Sequence, residues 1–193
     1  MNPFLPEDLQ TRLLLASASP RRRELLARIG LEPPVLVSDY DETPLEGESA
    51  DEASRRHALG KARDVSLRFP DKLVIAADTL VLLDGEILGK PCDAGEAAGM
   101  LRFLSDRKHE VLTALALREG EREEVQVATS QVRFRALEGR EIAAYLETGE
   151  SFDKAGSYGV QGLASSFVEG IEGCFFNVMG LTLELLTRML KAW

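Results

Sequence analysis

Short apolar runs that alternate with helical patterns are the feature that most limits how this chain can fold. Three such runs, each with the length of a buried β-strand, are 12–16 (RLLLA), 34–38 (PVLVS) and 73–77 (LVIAA). Amphipathic or capped stretches predict helices over 20–29, 50–68, 94–105, 138–147 and 181–191. Strands that alternate with helices in this way indicate an α/β fold.

Turn signals predict that some strands pair as hairpins. Asp84-Gly85 lies between VLL and EIL, which is typical of a two-residue hairpin turn. Glu119-Gly120 separates predicted strands at 109–118 and 122–135, and shorter strand-like segments lie near 165–169 and 174–178. Hairpins produce antiparallel pairs, so we expect a mixed, twisted sheet flanked by helices. Because no Gly/Ser/Pro linker divides the chain, residues 1–193 are predicted to form a single domain.

Composition excludes several classes of function. Hydrophobic residues make up 45% of the chain, enough for a sizeable core, and the net charge of -9 argues against binding to nucleic acid. Cys92 and Cys174 are far apart, which disfavours a disulfide framework or a zinc site and fits a reducing compartment. The N-terminus lacks a signal-peptide pattern, and no apolar run approaches about 20 residues. We therefore expect a cytoplasmic protein with no membrane contact.

A basic segment at the start of the first predicted helix is a candidate anion site. Ser17-Ala18-Ser19-Pro20 precedes Arg21-Arg22-Arg23, between a strand and a helix. A helix N-terminus offers unpaired N–H groups, to which serine hydroxyls and guanidinium groups would add further donors for phosphate. The alternative is a surface loop whose arginines are only solvated.

Two acidic positions are candidate metal or catalytic groups. Asp78, followed by Thr79, comes directly after the apolar run LVIAA, at the end of a central strand where α/β proteins place ligands. Such a carboxylate can hold a metal or accept a proton from water. Glu42, in the acidic turn DYDETP, is a second candidate. A strand-terminating turn and a solvated acidic turn are the respective alternatives.

Two lysines have neighbours that restrict the backbone. Pro91 biases Lys90 towards extended geometry, which would aim its amine, although an ordinary solvent-facing hairpin exit has the same pattern. Lys61 follows Gly60 in the middle of a predicted helix, where glycine costs up to about 1 kcal/mol relative to alanine. A close approach by another group would explain that glycine, and so would chance.

A glycine-rich stretch, 153–162 (DKAGSYGVQG), is the last candidate. Its small residues allow close backbone approach to a ligand, and the amide of Gln161 can both donate to and accept from a base edge. A long flexible loop is the alternative. His57 and His109 have no partner at the spacing of a triad or a metal site, so we expect both to be structural.

Taken together and in order, these segments resemble the Maf family. The resemblance is carried by LLLASASPRRRELL, DYDETP, KAR, AADTLVLLDGEILGKP, AAGMLRFLSDRKHEVLTALAL, DKAGSYGVQG and FFNVMGL, and it runs from about Leu13 to about Leu190. Gly60 and Ser157 are the small departures from the family pattern.

The resemblance implies an enzyme that hydrolyses a nucleoside triphosphate to the monophosphate and pyrophosphate with a divalent cation, Mg²⁺ or Mn²⁺. It implies an elongated, two-lobed α/β fold related to inosine triphosphate pyrophosphatases, commonly found as a homodimer. Carried over by motif, Asp78 is the general base or a metal-linked carboxylate, and Glu42 helps to hold the metal. The phosphate site is expected to be lined by Ser17, Arg21, Arg22, Lys61 and Lys90.

The resemblance also implies a substrate. Family members that act on 7-methylguanosine triphosphate carry Trp, Gln and Glu at the positions of Arg21, Thr79 and Gln161, whereas this sequence carries the set of the branch acting on dTTP and UTP. An alternative function is a nucleotide-responsive binding protein that arrests septum formation, but a pure binder would not need a carboxylate such as Asp78 beside the phosphates. The absence of GxxxxGK[ST] argues against a P-loop enzyme or kinase.

Overall fold

A computed structural model describes residues 1–193 and confirms an α/β fold with a mixed sheet. The helices are α1 (Glu7–Arg12), α2 (Pro20–Arg28), α3 (Ala50–Arg68), α4 (Ala94–Leu104), α5 (Gly139–Glu147), α6 (Phe175–Val178) and α7 (Leu183–Ala192). The strands are β1 (Leu13–Ala16), β2 (Leu73–Leu83), β3 (Glu86–Leu88), β4 (Lys108–Glu119), β5 (Arg122–Phe134) and β6 (Val168–Glu172). None of the helices combines the length and the apolar character needed to cross a membrane.

The sheet combines parallel and antiparallel pairs. Its strand order is β1-β2-β4-β5-β6, with β3 paired to β2 outside that path. Strand β1 runs parallel to β2, from Leu13 opposite Leu73 to Ala16 opposite Ala76. The hairpin predicted at Asp84-Gly85 is present as the antiparallel pair β2–β3, and both of its turn residues have positive φ. These pairs confirm the mixed sheet.

The chain groups into two compact units. The first contains residues 1–78, 113–128 and 180–193, and the second contains residues 79–112 and 129–179. Strands β2, β4 and β5 each contribute residues to both units. That residues 1–193 make one domain stays a prediction.

Small side chains form much of the core of the first unit. The buried cluster draws on β1, β2, β4 and α3, and contains Leu14, Ala16, Ala58, Ala62, Val65, Val74, Ala76, Ala114 and Ala116. Helix α3 begins with a capping box in which Ser49 and Glu52 satisfy each other's backbone N–H groups. Because Ala58, Ala62 and Val65 recur at helical spacing, α3 turns one continuous apolar face towards this cluster.

Several aromatic rings pack together in the core of the second unit. Phe134 packs on Tyr158 with ring centroids 4.7 Å apart, and on His109 at 5.0 Å, both in edge-to-face geometry. Asp93 is the N-cap of helix α4, and its carboxylate accepts a hydrogen bond from the backbone N–H of Glu96. The ring contacts join β4 and β5 to the glycine-rich stretch that contains Tyr158, and the Asp93 cap fixes the start of α4.

Three strand predictions are wrong in whole or in part. The 34–38 run forms only an isolated bridge between Leu15 and Val35, because the backbone there makes just two bonds to Leu15 and leaves Val35 and Val37 exposed. In the predicted strand 174–178, Cys174 is the N-cap of helix α6 and the other four residues form that helix, after Gly173, whose φ is +117°. The segment near 165–169 is mainly a 3₁₀ helix, 163–167, that leads into β6.

Candidate active site

Asp78 lies inside a strand and not at its end, which corrects the sequence prediction. Strand β2 continues to Leu83, yet its parallel pairing with β1 stops at Ala16 opposite Ala76. Ser17 and Asp78 therefore follow the carboxyl end of this parallel pair, the edge at which α/β sheets bind ligands. Asp78 is only 5% exposed, so its carboxylate must be satisfied by the protein.

Helix α3 supplies the two partners of the Asp78 carboxylate. Lys61 Nζ donates to Oδ1 at 2.7 Å, and His57 Nδ1 lies 3.1 Å from Oδ2. The two side chains share one face of α3 because they stand one helical turn apart. Burial alone would raise the pKa of Asp78, but the hydrogen bond with His57 and the charge of Lys61 outweigh it and hold that pKa well below its usual range. Asp78 is therefore ionised at neutral pH.

Glu42 completes an acidic cluster around Lys61. Its Oε1 lies 3.0 Å from Lys61 Nζ, and its Oε2 lies 4.0 Å from His57 Nδ1. About half of the Glu42 side chain is exposed, in contrast to the buried Asp78. The structure thus brings together Glu42, Lys61 and Asp78, three of the residues that the sequence predicts for the site.

Arg56 fastens the segment that carries Glu42 to helix α3. Its Nε and Nη2 donate to the two carboxylate oxygens of Glu48 at 2.6 and 2.7 Å. Its Nη1 donates to the Tyr40 hydroxyl at 2.8 Å, and Nη2 also reaches the Thr43 carbonyl at 3.2 Å. These bonds hold both ends of the loop around Glu42, so the position of Glu42 depends on Arg56.

The same contacts explain the glycine before Lys61. A Cβ placed on Gly60 would lie 2.3 Å from the ring of Tyr40, far inside van der Waals contact. The close approach considered from the sequence is therefore real, and the approaching group is Tyr40.

Three donor groups in this cluster fit a divalent cation. One ligand atom from each of Glu42, His57 and Asp78 can be chosen so that all lie within 4.8 Å of one another. Carboxylate oxygens suit Mg²⁺ and Mn²⁺, and an imidazole nitrogen suits softer divalent ions. The donor chemistry of the cluster therefore agrees with the metal expected at Glu42 and Asp78.

A second group of donors lies at the start of α2. Ser17 Oγ accepts hydrogen bonds from the backbone N–H of Ser19 at 3.1 Å and from Arg22 Nη1 at 3.3 Å. Arg22 is further held by a bond from Nε to the carbonyl of Gly180 at 2.8 Å. Burial lowers the pKa of the Arg22 guanidinium, and the negative charge of Asp78 opposes that effect. Ser17 and Arg22 thus form a preorganised donor pair, and Arg21 is half-buried in the same first turn.

The remaining predicted site residues belong to the second compact unit. Thr79 is half-buried in β2 next to Asp78, while Lys90 after β3 and Gln161 are exposed. The backbone N–H of Gly156 donates to the carbonyl of Gly89 at 3.1 Å, which links the glycine-rich stretch to the segment before Lys90. The roles of Thr79, Lys90 and Gln161 stay predictions.

The glycine-rich stretch is held by contacts with its own neighbours. A Cβ on Gly159 would lie 2.7 Å from Lys154 Cε, and one on Gly162 would lie 2.2 Å from Glu150 Oε1. Ser157 is fully buried with a φ of +63°, and its hydroxyl donates to the Met100 sulfur at 3.1 Å. These contacts favour an ordered segment over a flexible loop, and they give its small residues a packing role.

The sequence prediction for the two histidines is right for one and wrong for the other. His109 is buried, and its Nε2 lies 2.7 Å from the Tyr158 hydroxyl, as a structural residue would be. His57 has partners in the acidic cluster, so the expectation that it had none is wrong. The signal was available, because His57 precedes Lys61 by one turn on a helix that was itself correctly predicted.

Comparison with known proteins places both the fold and the family. The chain is similar to the structure of the Staphylococcus aureus Ham1 protein, with a TM-score of 0.52 and 16% identity over 93% of this chain and 98% of that one. That likeness defines the class of α/β fold. A family model described as Maf-like protein matches residues 12–193, and the chain belongs to the Maf family.

Curated relatives of the chain carry one name. A protein of Myxococcus xanthus named dTTP/UTP pyrophosphatase is 50% identical over 94% of this chain and 92% of its own length. Proteins with the same name from Symbiobacterium thermophilum, 48% identical over 93% and 92%, and Methylococcus capsulatus, 49% identical over 96% and 91%, are similar over the same extent. The chain therefore covers nearly the full length of each relative.

Proposed function

We propose that this protein is a nucleoside triphosphate pyrophosphatase that hydrolyses dTTP and UTP to the monophosphate and pyrophosphate. The observation that carries the proposal is that relatives about half identical to this chain, over more than nine-tenths of it, are named dTTP/UTP pyrophosphatase. The chemistry of the site agrees with this function, because the acidic cluster and the cationic donors lie near the carboxyl end of the parallel pair β1–β2.

The division of labour in the site follows from charge. A triphosphate and its transition state are strongly negative, so catalysis consists mainly of positioning and charge stabilisation. We assign phosphate binding to Ser17, Arg21 and Arg22 at the N-terminus of α2, together with Lys90. A divalent cation held by Glu42 and Asp78 would neutralise phosphate charge and lower the pKa of bound water.

The low pKa of Asp78 supports one of the two roles that the resemblance allows for it. A carboxylate whose pKa is held well below the usual range is a weak base, because it takes up a proton only at acidic pH. It remains a good hard ligand and hydrogen-bond acceptor at neutral pH. We therefore assign Asp78 to holding the cation and orienting the attacking water, in preference to removing a proton from it.

Lys61 has one role when no cation or substrate is bound and another when both are bound. In the structure its ammonium neutralises Asp78 and Glu42 at 2.7 and 3.0 Å. A cation bound to the same two carboxylates would compete with it. A triphosphate offers Lys61 new anionic partners, so we propose that Lys61 turns towards phosphate when cation and substrate bind together.

The test is a product assay with a panel of nucleoside triphosphates, in which pyrophosphate and orthophosphate are measured separately. We expect pyrophosphate from dTTP and UTP, dependence on Mg²⁺ or Mn²⁺, and loss of turnover in excess EDTA. Orthophosphate as the first product would refute the assigned bond, and full activity in EDTA would refute the cation. The same assay tests the septum-arrest alternative, because a pure binding protein would bind nucleotide and release neither product.

Two further expectations accompany the proposal. A homodimer is expected from the family resemblance and is tested by sedimentation of the full chain. A cytoplasmic location is supported by the two free cysteines, of which Cys92 is exposed. Fractionation of cells that express the tagged protein tests that location.

A further inference from the structure

We propose that His57 is a positioning residue for Asp78, and that Arg56 selects the tautomer of His57 that this task requires. The kinetic part of the inference rests on the proposed pyrophosphatase function, whereas the tautomer does not. The arrangement is a chain of side chains that runs from Glu48 through Arg56 and His57 to Asp78.

The tautomer follows from the donor inventory of arginine. Arg56 Nη2 lies 3.2 Å from His57 Nε2. A guanidinium has only N–H donors, so this contact is a hydrogen bond only if Nε2 carries a lone pair. If Nε2 carried the proton, two N–H groups would face each other at that distance. In the neutral ring the proton is therefore on Nδ1, and Nδ1–H donates to Asp78 Oδ2 at 3.1 Å.

Arg56 cannot easily turn away to relax this constraint. Two of its nitrogens are engaged by the carboxylate of Glu48, and the third donates to the Tyr40 hydroxyl. His57 itself is only 7% exposed, which limits the access of water to its ring. One hydrogen of Nη2 goes to Glu48, and the other is shared by His57 Nε2 and the Thr43 carbonyl, each 3.2 Å away. The guanidinium is thus a fixed donor whose second Nη2 hydrogen is available to Nε2.

The consequence for Asp78 is a carboxylate held at both oxygens. In the structure Lys61 engages Oδ1 and His57 engages Oδ2. Once Lys61 turns towards phosphate, His57 is the partner that keeps the carboxylate from rotating about its terminal bond. Each carboxylate oxygen retains acceptor capacity for a cation or a water. Outer partners of this kind orient metal-ligating groups, and their loss typically costs about 10–100-fold in affinity or activity.

A competing role for His57 is direct metal ligation through Nδ1. That atom lies near both Asp78 and Glu42, but in the tautomer set by Arg56 it carries a proton and has no lone pair to offer. We therefore assign His57 to the support of Asp78, and the following experiment separates the two roles.

The tautomer can be observed directly because the chain contains only two histidines. Long-range ¹H–¹⁵N correlation spectra of the full protein, recorded above the usual histidine pKa, distinguish protonated from unprotonated ring nitrogens. His109→Gln leaves His57 as the sole source of signals. We expect protonated Nδ1 and unprotonated Nε2, unchanged when Mg²⁺ is added. A proton on Nε2, or loss of the Nδ1 proton on adding Mg²⁺, would overturn the proposal.

Matched substitutions test the positioning role. His57→Asn retains an N–H donor close to the position of Nδ1, whereas His57→Leu removes the donor at similar size. For dTTP we expect His57→Leu to lower kcat about 10–100-fold with little change in KM, and to weaken Mn²⁺ binding measured by calorimetry. His57→Asn should recover most of both losses.

The outcomes separate this inference from the proposed function. Equal losses in the two variants would indicate a packing role and refute positioning, as would an unchanged kcat in His57→Leu. If wild type releases no pyrophosphate from any nucleotide, the proposed function fails, while the tautomer and the Mn²⁺ affinities still decide the inference. Thermal unfolding of both variants identifies a folding defect, and in that case the wild-type spectra decide.

Discussion

Lys61 Nζ donates to Asp78 Oδ1 at 2.7 Å, and both side chains are largely buried. Breaking a buried ion pair by removing one partner is strongly destabilising, typically by about 3–5 kcal/mol, because the remaining charge is left uncompensated. Here Glu42 lies 3.0 Å from the same ammonium and provides a second counter-charge. The two partners are therefore unequal, since Lys61 retains an anion when Asp78 is neutralised, whereas Asp78 without Lys61 loses the ammonium that donates to Oδ1.

This inequality predicts that Asp78→Asn remains folded but inactive. The amide keeps an oxygen for Lys61, and Glu42 keeps the ammonium paired. The hard ligand is lost, and we expect kcat for dTTP to fall by at least about 100-fold, because loss of even an outer partner of a metal ligand typically costs about 10–100-fold. Steady-state kinetics and thermal unfolding measure the two effects. Asp71→Asn, at an exposed position in the same unit, is the control and should change neither. Near-normal kcat in folded Asp78→Asn would remove Asp78 from the mechanism.

A pair of glycines on two helices predicts opposite responses to the same substitution. Alanine normally gains about 0.5–1 kcal/mol over glycine inside a helix. A Cβ added to Gly99 in α4 would meet nothing within 4 Å, so Gly99→Ala should stabilise the protein by about that amount. At Gly60 the added methyl meets the Tyr40 ring at 2.3 Å, and overpacking typically costs about 1–3 kcal/mol.

We therefore expect Gly60→Ala to lower the free energy of unfolding, measured by denaturant titration. Arg56 donates hydrogen bonds both to the Tyr40 hydroxyl and to Glu48, which holds the loop around Glu42. A displaced Tyr40 would therefore disturb Glu42, so Gly60→Ala should also weaken Mn²⁺ binding, whereas Gly99→Ala should not. Stabilisation by Gly60→Ala equal to that by Gly99→Ala would show that Tyr40 moves aside without cost.

The fold was predictable from sequence wherever local signals agreed with long-range packing. Helix α3 has the predicted bounds of 50–68, and the turn at Asp84-Gly85 lies where its residue types demand. The prediction of a strand at 34–38 was wrong because apolar composition does not reveal whether a neighbouring strand offers a full set of backbone partners. The prediction that Asp78 ends a strand was wrong for a similar reason. The apolar run ends before Asp78, but pairing with β3 extends β2 to Leu83.

The candidate site was predictable as a set of residues but not as a set of contacts. Motif order singled out Glu42, Lys61 and Asp78, and the structure brings them together. His57 was missed although it precedes Lys61 by one turn on a helix with correctly predicted bounds, because the sequence does not show which groups that helix face meets. The link from Arg56 to His57 depends on side-chain rotamers, which no sequence pattern encodes.

His109 predicts a specific dependence of stability on pH. Burial lowers the pKa of His109 to about 4, while in the unfolded chain it would lie near the ordinary value of about 6.5. Between these values the unfolded chain binds more protons than the folded one, so stability falls as pH decreases from about 6.5 to about 4. Above this window His109 is neutral in both states and contributes no such penalty.

The check is a comparison with His109→Gln, which removes the titration but keeps a polar group that can reach the Tyr158 hydroxyl. The free energy of unfolding, measured at several pH values from 7.5 to 4.5 (about the window given by the two pKa values), should fall more steeply in wild type than in the variant. The full difference across the window is about 3 kcal/mol. Parallel curves would show that His109 titrates alike in both states.

The base preference depends on Arg21, Thr79 and Gln161, which together match the dTTP and UTP branch of the family. Gln161 lies between Gly159 and Gly162, and those glycines pack on the side chains of Lys154 and Glu150. This packing fixes the backbone on either side of Gln161, so its amide is presented from an ordered segment. An amide offers one acceptor and two donors, which can pair with the polar edge of uracil or thymine.

We therefore expect dTTP and UTP to be hydrolysed far better than 7-methylguanosine triphosphate, as measured by kcat/KM. A site built to pair polar groups of the base rejects a ligand that leaves its own groups unsatisfied. Replacing Arg21, Thr79 and Gln161 with Trp, Gln and Glu should lower kcat/KM for dTTP more than for the methylated purine. Gln126→Glu, the same substitution on β5 in the first unit, is the control for the added charge and should leave the ratio unchanged. A wild-type preference for the methylated purine would overturn the branch while leaving pyrophosphate release intact, because that release depends on Asp78 and the phosphate-binding residues and not on the base.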